Sequence, residues 1–134
     1  MPARRLRRAV LAACALAAAG AAADEEPAGH PLGWQDYVDH CAACHGADGH
    51  GHGPLAAELR RAPRDLTRLA ADNGGSFPET LVYQVIDGRR IVGAHGSSQM
   101  PIWGRRFRLE GETEAEIELT ITALIDYLES LQRP

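Results

Sequence analysis

The strongest hydrophobic rhythm lies near the end of the chain. Ile117, Ile121, Leu124, Leu128 and Leu131 recur at steps of four and three, which places them on one face of a helix. Thr113 and Glu116 stand before that stripe at capping-box spacing. Near the start, Trp34, Tyr37, Val38 and Cys41 follow i, i+3, i+4, i+7 and predict a helix from Gly33 to about Cys44. A third stripe, Leu81, Val82, Val85 and Ile86, predicts a helix opened by Ser76, Pro78 and Glu79 and stopped by Gly88. Between these stripes the pattern breaks. Glycines at 46, 49, 51 and 53, with Pro54 behind them, end regular structure. Residues 54–61 predict one or two helical turns, and residues 62–75 a loop with short helical pieces. Residues 89–111 keep no period and predict a long functional loop. With no strand pattern and no internal repeat, the fold class is all-α with long loops.

The first residues read as something other than fold. Arg4, Arg5, Arg7 and Arg8 precede an apolar run from Ala9 to Ala23, which ends in small residues before Asp24, Glu25 and Glu26. A basic start, a short apolar run and an A-x-A end describe a cleaved secretory signal. The run is short for a membrane span, so a retained anchor is the lesser reading. Leu11 to Cys14 resembles a lipoprotein box, but only five residues separate Cys14 from Arg8, too few for an apolar signal region. The expected organisation is a signal over 1–23, a flexible lead-in over 24–32 and one domain over 33–134, exported to the periplasm.

Export changes the charge and cysteine balance. The signal takes four of the fourteen basic residues and none of the eighteen acids, so the formal charge moves from −4 to −8. An acidic domain argues against nucleic acid as a partner. No stretch after the signal is apolar enough to span a bilayer. Of the three cysteines, Cys14 leaves, and Cys41 and Cys44 remain in a compartment where thiols seldom stay free.

Cys41, Cys44 and His45 form C-x-x-C-H, the attachment pattern of c-type haem. Two intervening residues bring both sulfurs within reach of the two vinyl groups on one haem edge, and the adjacent imidazole can turn beneath the ring. Three other readings compete. A thioredoxin-like redox pair needs a strand and a βαβ context. A structural zinc site needs four ligands, which His50 and His52 would have to complete. The spacing could also be chance.

The sequence resembles the class I c-type cytochromes, monohaem and of bacterial periplasmic type, over nearly all of residues 33–131. Gly33 and Tyr37 precede the motif with that family's helix spacing. Residues 44–59 resemble its haem loop, residues 100–104 ("MPIWG") its distal-ligand segment, and the last helix its closing helix, with Tyr127 packing against the first. The resemblance implies three to five helices wrapped around one covalent haem, and a long loop carrying the second iron ligand. It implies His45 and Met100 as axial ligands, a pair known in cytochromes c. It further implies that the Pro54 carbonyl accepts a hydrogen bond from the other nitrogen of His45, and that the Trp103 indole reaches a haem propionate or simply packs. On this reading the glycines after His45 let backbone pass close to the flat ring. His95 is the rival sixth ligand. His30, His40, His50 and His52 are expected to be surface or loop residues. Arg89, Arg90, Arg105 and Arg106 could approach the propionates.

The function expected is transfer of single electrons between redox-partner proteins, with no substrate transformed and no catalytic residue. The alternatives are a permanent cytochrome subunit of a periplasmic dehydrogenase or oxidase, and an open-site haem enzyme or gas sensor in which Met100 does not bind. The chain has no Lys, so a positive docking face would have to use the Arg clusters at 60–68 and 105–108.

Overall fold

The computed structural model describes residues 30–89 and 100–133. The expected signal and most of the lead-in, with Cys14, lie outside the described residues, as do Arg90 and His95. Among the described residues there are five α-helices and no strand: α1 (Trp34–His40), α2 (Ala42–His45), α3 (Glu79–Asp87), α4 (Trp103–Glu110) and α5 (Glu114–Ser130). Single 3₁₀ turns at Ala56–Glu58, Leu66–Arg68 and Ala71–Asn73 punctuate the stretch between α2 and α3. This part of the chain is all-α.

The longest helix organises the rest. The Thr113 hydroxyl accepts from the Glu116 N–H at 3.3 Å, and the Glu116 carboxylate accepts from the Thr113 N–H at 2.7 Å. This reciprocal cap starts α5 as the spacing predicts. Ile117, Ile121, Leu124 and Leu128 are buried, joined by Ile125 and Tyr127. Helices α1, α3 and α4 all pack against α5. The closest crossing is at Gly33, where φ is +81° and a Cβ would stand 2.0 Å from the Ala123 carbonyl oxygen. Only a residue without a side chain lets the two backbones approach so far. One helical turn on, Tyr37 is fully buried, its ring centroid 5.0 Å from that of Tyr127.

Three expectations are corrected. The first helix does not run unbroken to Cys44. Cys41 (φ −117°, ψ −39°) interrupts it, and a short second helix begins at Ala42. Ser76 does not cap α3: Pro78 takes the N-cap position two residues later, its carbonyl accepting from the Val82 N–H at 3.0 Å. The predicted loop over 89–111 contains α4, which ends at Gly111 (φ +101°). This helix buries only Gly104 and Phe107, so it carries no stripe that a periodicity count would detect.

Candidate functional site

The site grows out of the break between α1 and α2. At Cys41 the chain turns, and the N–H groups of Cys44 and His45 both bond back to the Cys41 carbonyl, at 3.1 and 2.9 Å. Cys41, Cys44 and His45 therefore sit on one tight turn. Both thiols are unbridged and half-buried.

Two cavities meet at this turn. The smaller, about 210 Å³, is walled by α1, α3 and α5, with Leu81, Val82, Val85 and Ile86 along one side. The larger, about 650 Å³, opens between α2, the 55–64 segment and the start of α4. Cys41, His45, Arg64 and Met100 line both. Cys44 and Trp103 line the larger one. Five of the six residues expected to hold the cofactor thus converge on one space, of the volume that small-molecule and cofactor sites occupy. Helix α3 faces two ways: Val82 and Ile86 are buried in the core, while Leu81 and Val85 are half-buried along the cavity wall.

Pro54 is the exception. His45 Nδ1 lies 3.1 Å from the carbonyl oxygen of Arg64, so Arg64 and not Pro54 provides the acceptor. The chain path explains the exchange. The N–H groups of Gly53 and Leu55 bond to the carbonyls of Cys44 and Ala43, at 3.0 and 2.9 Å. Residues 53–55 therefore run along α2, and Pro54 is exposed. The 63–66 segment instead returns beside residues 49–51, fixed by Leu66 N–H to the Gly49 carbonyl at 2.7 Å and by His50 Nδ1 to Asp65 at 3.1 Å. A carbonyl can only accept, so Nδ1 of His45 carries the proton. In the neutral ring that makes Nε2 the nitrogen with a lone pair to donate to a metal.

Two of the neighbouring glycines stand where backbone meets backbone. A Cβ on Gly51 would lie 2.4 Å from the Pro63 carbonyl oxygen, and one on Gly53 would lie 2.5 Å from that of Ala43. Gly51 thus lets the 63–66 strip come up beside His45, and Gly53 lets residues 53–55 lie against α2.

Asp65 anchors that strip. Burial pushes its carboxyl up, but bonds from the Thr67 hydroxyl, from His50 and from the Thr67 N–H outweigh burial and hold it down at about 2. The Arg-Asp-Leu-Thr run was the available sequence signal for this turn: Asp65 caps it by accepting from the Thr67 N–H at 2.9 Å. Behind the site, the Tyr37 hydroxyl donates to the Gly46 carbonyl at 2.6 Å, and burial raises its pKa well above the usual phenol value.

The thiols bear on the competing chemistries. Burial, aided by the negative charge of Asp36, pushes Cys41 up to about 12. Redox-active C-x-x-C pairs work through a lowered thiol pKa, and among the described residues no strand precedes this pair. Among the described residues no three of His, Cys, Asp and Glu converge as a metal site, so His50 and His52 do not complete a zinc centre with the cysteines.

The remaining expected residues scatter. Trp103 packs against His40 and Phe107, with centroids 5.0 and 6.0 Å away. His40 is therefore half-buried between α1 and α4 and lines the larger cavity, rather than lying on the surface. His50 is half-buried against Asp65. His30 and His52 are exposed, His30 stacked on Trp34. Arg89 pairs with Asp87, and Arg105 is exposed. Arg106 lines the larger cavity and pairs with Glu110. Arg61 and Arg64 also line that cavity. Among the described residues no helix is long and apolar enough to cross a membrane.

No family model matches the chain, and no curated protein or solved structure matches it.

Proposed function

We propose that this chain is a c-type cytochrome with the class I fold, holding one covalent haem and passing single electrons between partner proteins in the periplasm. The observation that carries the reading is the meeting of Cys41, His45 and Met100 on the walls of the same two adjoining cavities, with Cys44 on one of them. The donor set fits the group. Two unbridged thiols stand next to an imidazole whose Nδ1 is already committed to a backbone carbonyl. A thioether lines the same space, and the walls from α3 and α5 are apolar.

Cys41 and Cys44 would hold the haem edge through thioether bonds, and His45 Nε2 and Met100 Sδ would be the axial donors. When bound, the haem supplies a reversible one-electron change at iron. The chain supplies the surroundings. The Arg64 carbonyl orients His45 and raises its basicity. Leu81, Val82, Val85 and Ile86 keep water from one face. Leu55, well exposed, lines the larger cavity where a partner would approach. No general base or nucleophile is required of any residue.

The test is to express the full chain in a bacterium competent for periplasmic haem attachment and weigh the denatured product. A mass equal to polypeptide plus one haem, with colour retained by the protein after acidified organic extraction, supports the reading. A mass equal to the polypeptide alone, after expression under haem-replete conditions, rejects it.

A further inference from the structure

Among the described residues Asp87 is the one buried carboxylate, and the electron-transfer reading assigns it no role. It ends α3, with its side chain only 3% exposed. One oxygen accepts from Arg89 Nε at 2.5 Å and the other from Arg108 Nη2 at 3.2 Å. Arg108 belongs to α4 and also grips Glu114 at the start of α5 with two bonds, at 2.6 and 2.8 Å. The carboxylate, through Arg108, thus ties together the end of α3, the last turn of α4 and the first turn of α5.

The backbone is closed at the same place. Gly104 of α4 lies against Asp87: a Cβ there would stand 2.2 Å from the carboxylate oxygen and 2.9 Å from the Asp87 carbonyl. The next residue along from Asp87, Gly88, meets Ile102, and a Cβ on it would come within 2.1 Å of the Ile102 side chain. Residues 88 and 102 are therefore in contact, although fourteen positions apart in sequence. Met100 sits two residues before Ile102, the N-cap of α4. Any shift of α4 along α3 carries Met100 with it.

Only the carboxylate is buried, Arg108 being 37% exposed, and ion pairs, exposed or buried, are weak contributors to stability. Their best-attested benefit is to select one arrangement over others. Helix α4 fully buries only Gly104 and Phe107, so besides Phe107 its register against α3 depends on the contacts gathered at Asp87 and Gly88. We infer that the Asp87–Arg108 pair is a positioning device for Met100, setting the register of α4 so that the sulfur is presented to the cavity that His45 lines. The inference rests on the reading of Met100 as an axial donor.

The experiment uses the haem-loaded protein and the variants Asp87→Asn and Arg108→Gln. Ile125→Val, a buried α5 substitution away from both cavity linings, serves as the comparison for general loss of stability. Each is characterised by haem mass, far-ultraviolet helix signal, thermal midpoint, the weak near-infrared sulfur-to-iron band of the oxidised form, and affinity for added imidazole. Asp87→Asn and Arg108→Gln should keep the haem mass and helix signal, lose intensity in the sulfur band, and bind imidazole about tenfold more tightly or better. Ile125→Val should lower the thermal midpoint and leave band and affinity unchanged. If both charge variants behave like Ile125→Val, or if Ile125→Val moves the band as far as they do, the positioning role is overturned. A wild-type protein that carries haem but shows no sulfur band overturns the ligand reading of Met100, and this inference with it. A wild-type band that the charge variants do not move overturns the inference alone.

Discussion

Replacing Gly33 by Ala should damage this protein more than any surface substitution, and the structure separates two reasons. The first is backbone conformation. At φ +81° an L-residue sits in the left-handed region, at a cost of about 1–2 kcal/mol. The second is overlap. The added Cβ would lie 2.0 Å from the Ala123 carbonyl oxygen, 2.3 Å from its carbon and 2.7 Å from the Leu124 nitrogen. These are backbone atoms in the middle of α5, so no side chain can rotate out of the way. Helix α1 must move off α5, loosening the contact of Tyr37 with Tyr127. Overpacking of this kind costs about 1–3 kcal/mol, giving a total of roughly 2–5 kcal/mol against a typical domain stability of about 5–15 kcal/mol. Gly74 provides the control. Its φ is +71° and nothing lies within 4 Å of its would-be Cβ, so Gly74→Ala bears the conformational cost alone. Urea titration of the three proteins, followed by far-ultraviolet dichroism, should show Gly33→Ala losing clearly more than Gly74→Ala. If the two variants fall by the same amount, α1 and α5 do not cross at Gly33 as described, and the reasoning fails.

Two further outcomes follow from the hydrogen bonds around His45. Tyr37→Phe removes the donor to the Gly46 carbonyl and leaves that buried oxygen without it, which should cost about 1–3 kcal/mol in urea titration; an unchanged midpoint would mean that water reaches Gly46. Asp65 is held down at about 2, so its contribution is present above the ordinary carboxylate value of 3.8 and is lost as pH falls toward 2. The side chain is 31% exposed, so after solvent screening about 1 kcal/mol of that contribution remains. Asp65→Asn should therefore be less stable than wild type by about that much at pH 6, and the gap should close by about pH 2. A gap independent of pH would assign the loss to shape rather than charge.

The elements that the sequence disclosed are those whose physics is local. The cap at Thr113 and Glu116, the stripe from Ile117 to Leu128 and the stop at Gly88 each depend on residues within a turn or two, and each is found where the pattern puts it. Cys41, Cys44 and His45 share a turn because they are adjacent in the chain. Features that depend on remote partners were not legible. Helix α4 shows only Phe107 and Gly104 to the core, and Gly104 is there because Asp87 leaves no room for a Cβ. The acceptor for His45 is a backbone carbonyl nineteen residues away, and a carbonyl has no residue identity to recognise. Its location depends on where the chain returns, which Gly49, His50 and Asp65 decide together.

That dependence bears on how the site is built. The residues around the cavity belong to two parts, which touch directly where His40 of α1 packs on Trp103 and Phe107 of α4. His45 and the strip carrying Arg64 are bound to each other and to the chain end, where Gln132 donates to the Leu66 carbonyl and accepts from the Ala70 N–H, both at 2.8 Å. Met100 and Trp103 belong to the other part, fastened through Asp87 and Arg108 to α3 and α5. Helix α5 is the member common to both, joined to the first at Tyr127 and Leu128 and to the second at Glu114. It is also the element with the strongest local start signal and the longest buried face. A helix that forms on local terms gives both parts one frame, and the packing of His40 on Trp103 joins them a second time, so the placing of His45 against Met100 does not rest on the loops alone. Substitutions in those loops should therefore alter one side of the site at a time, whereas loosening α5 from α1 at Gly33 should disturb both together.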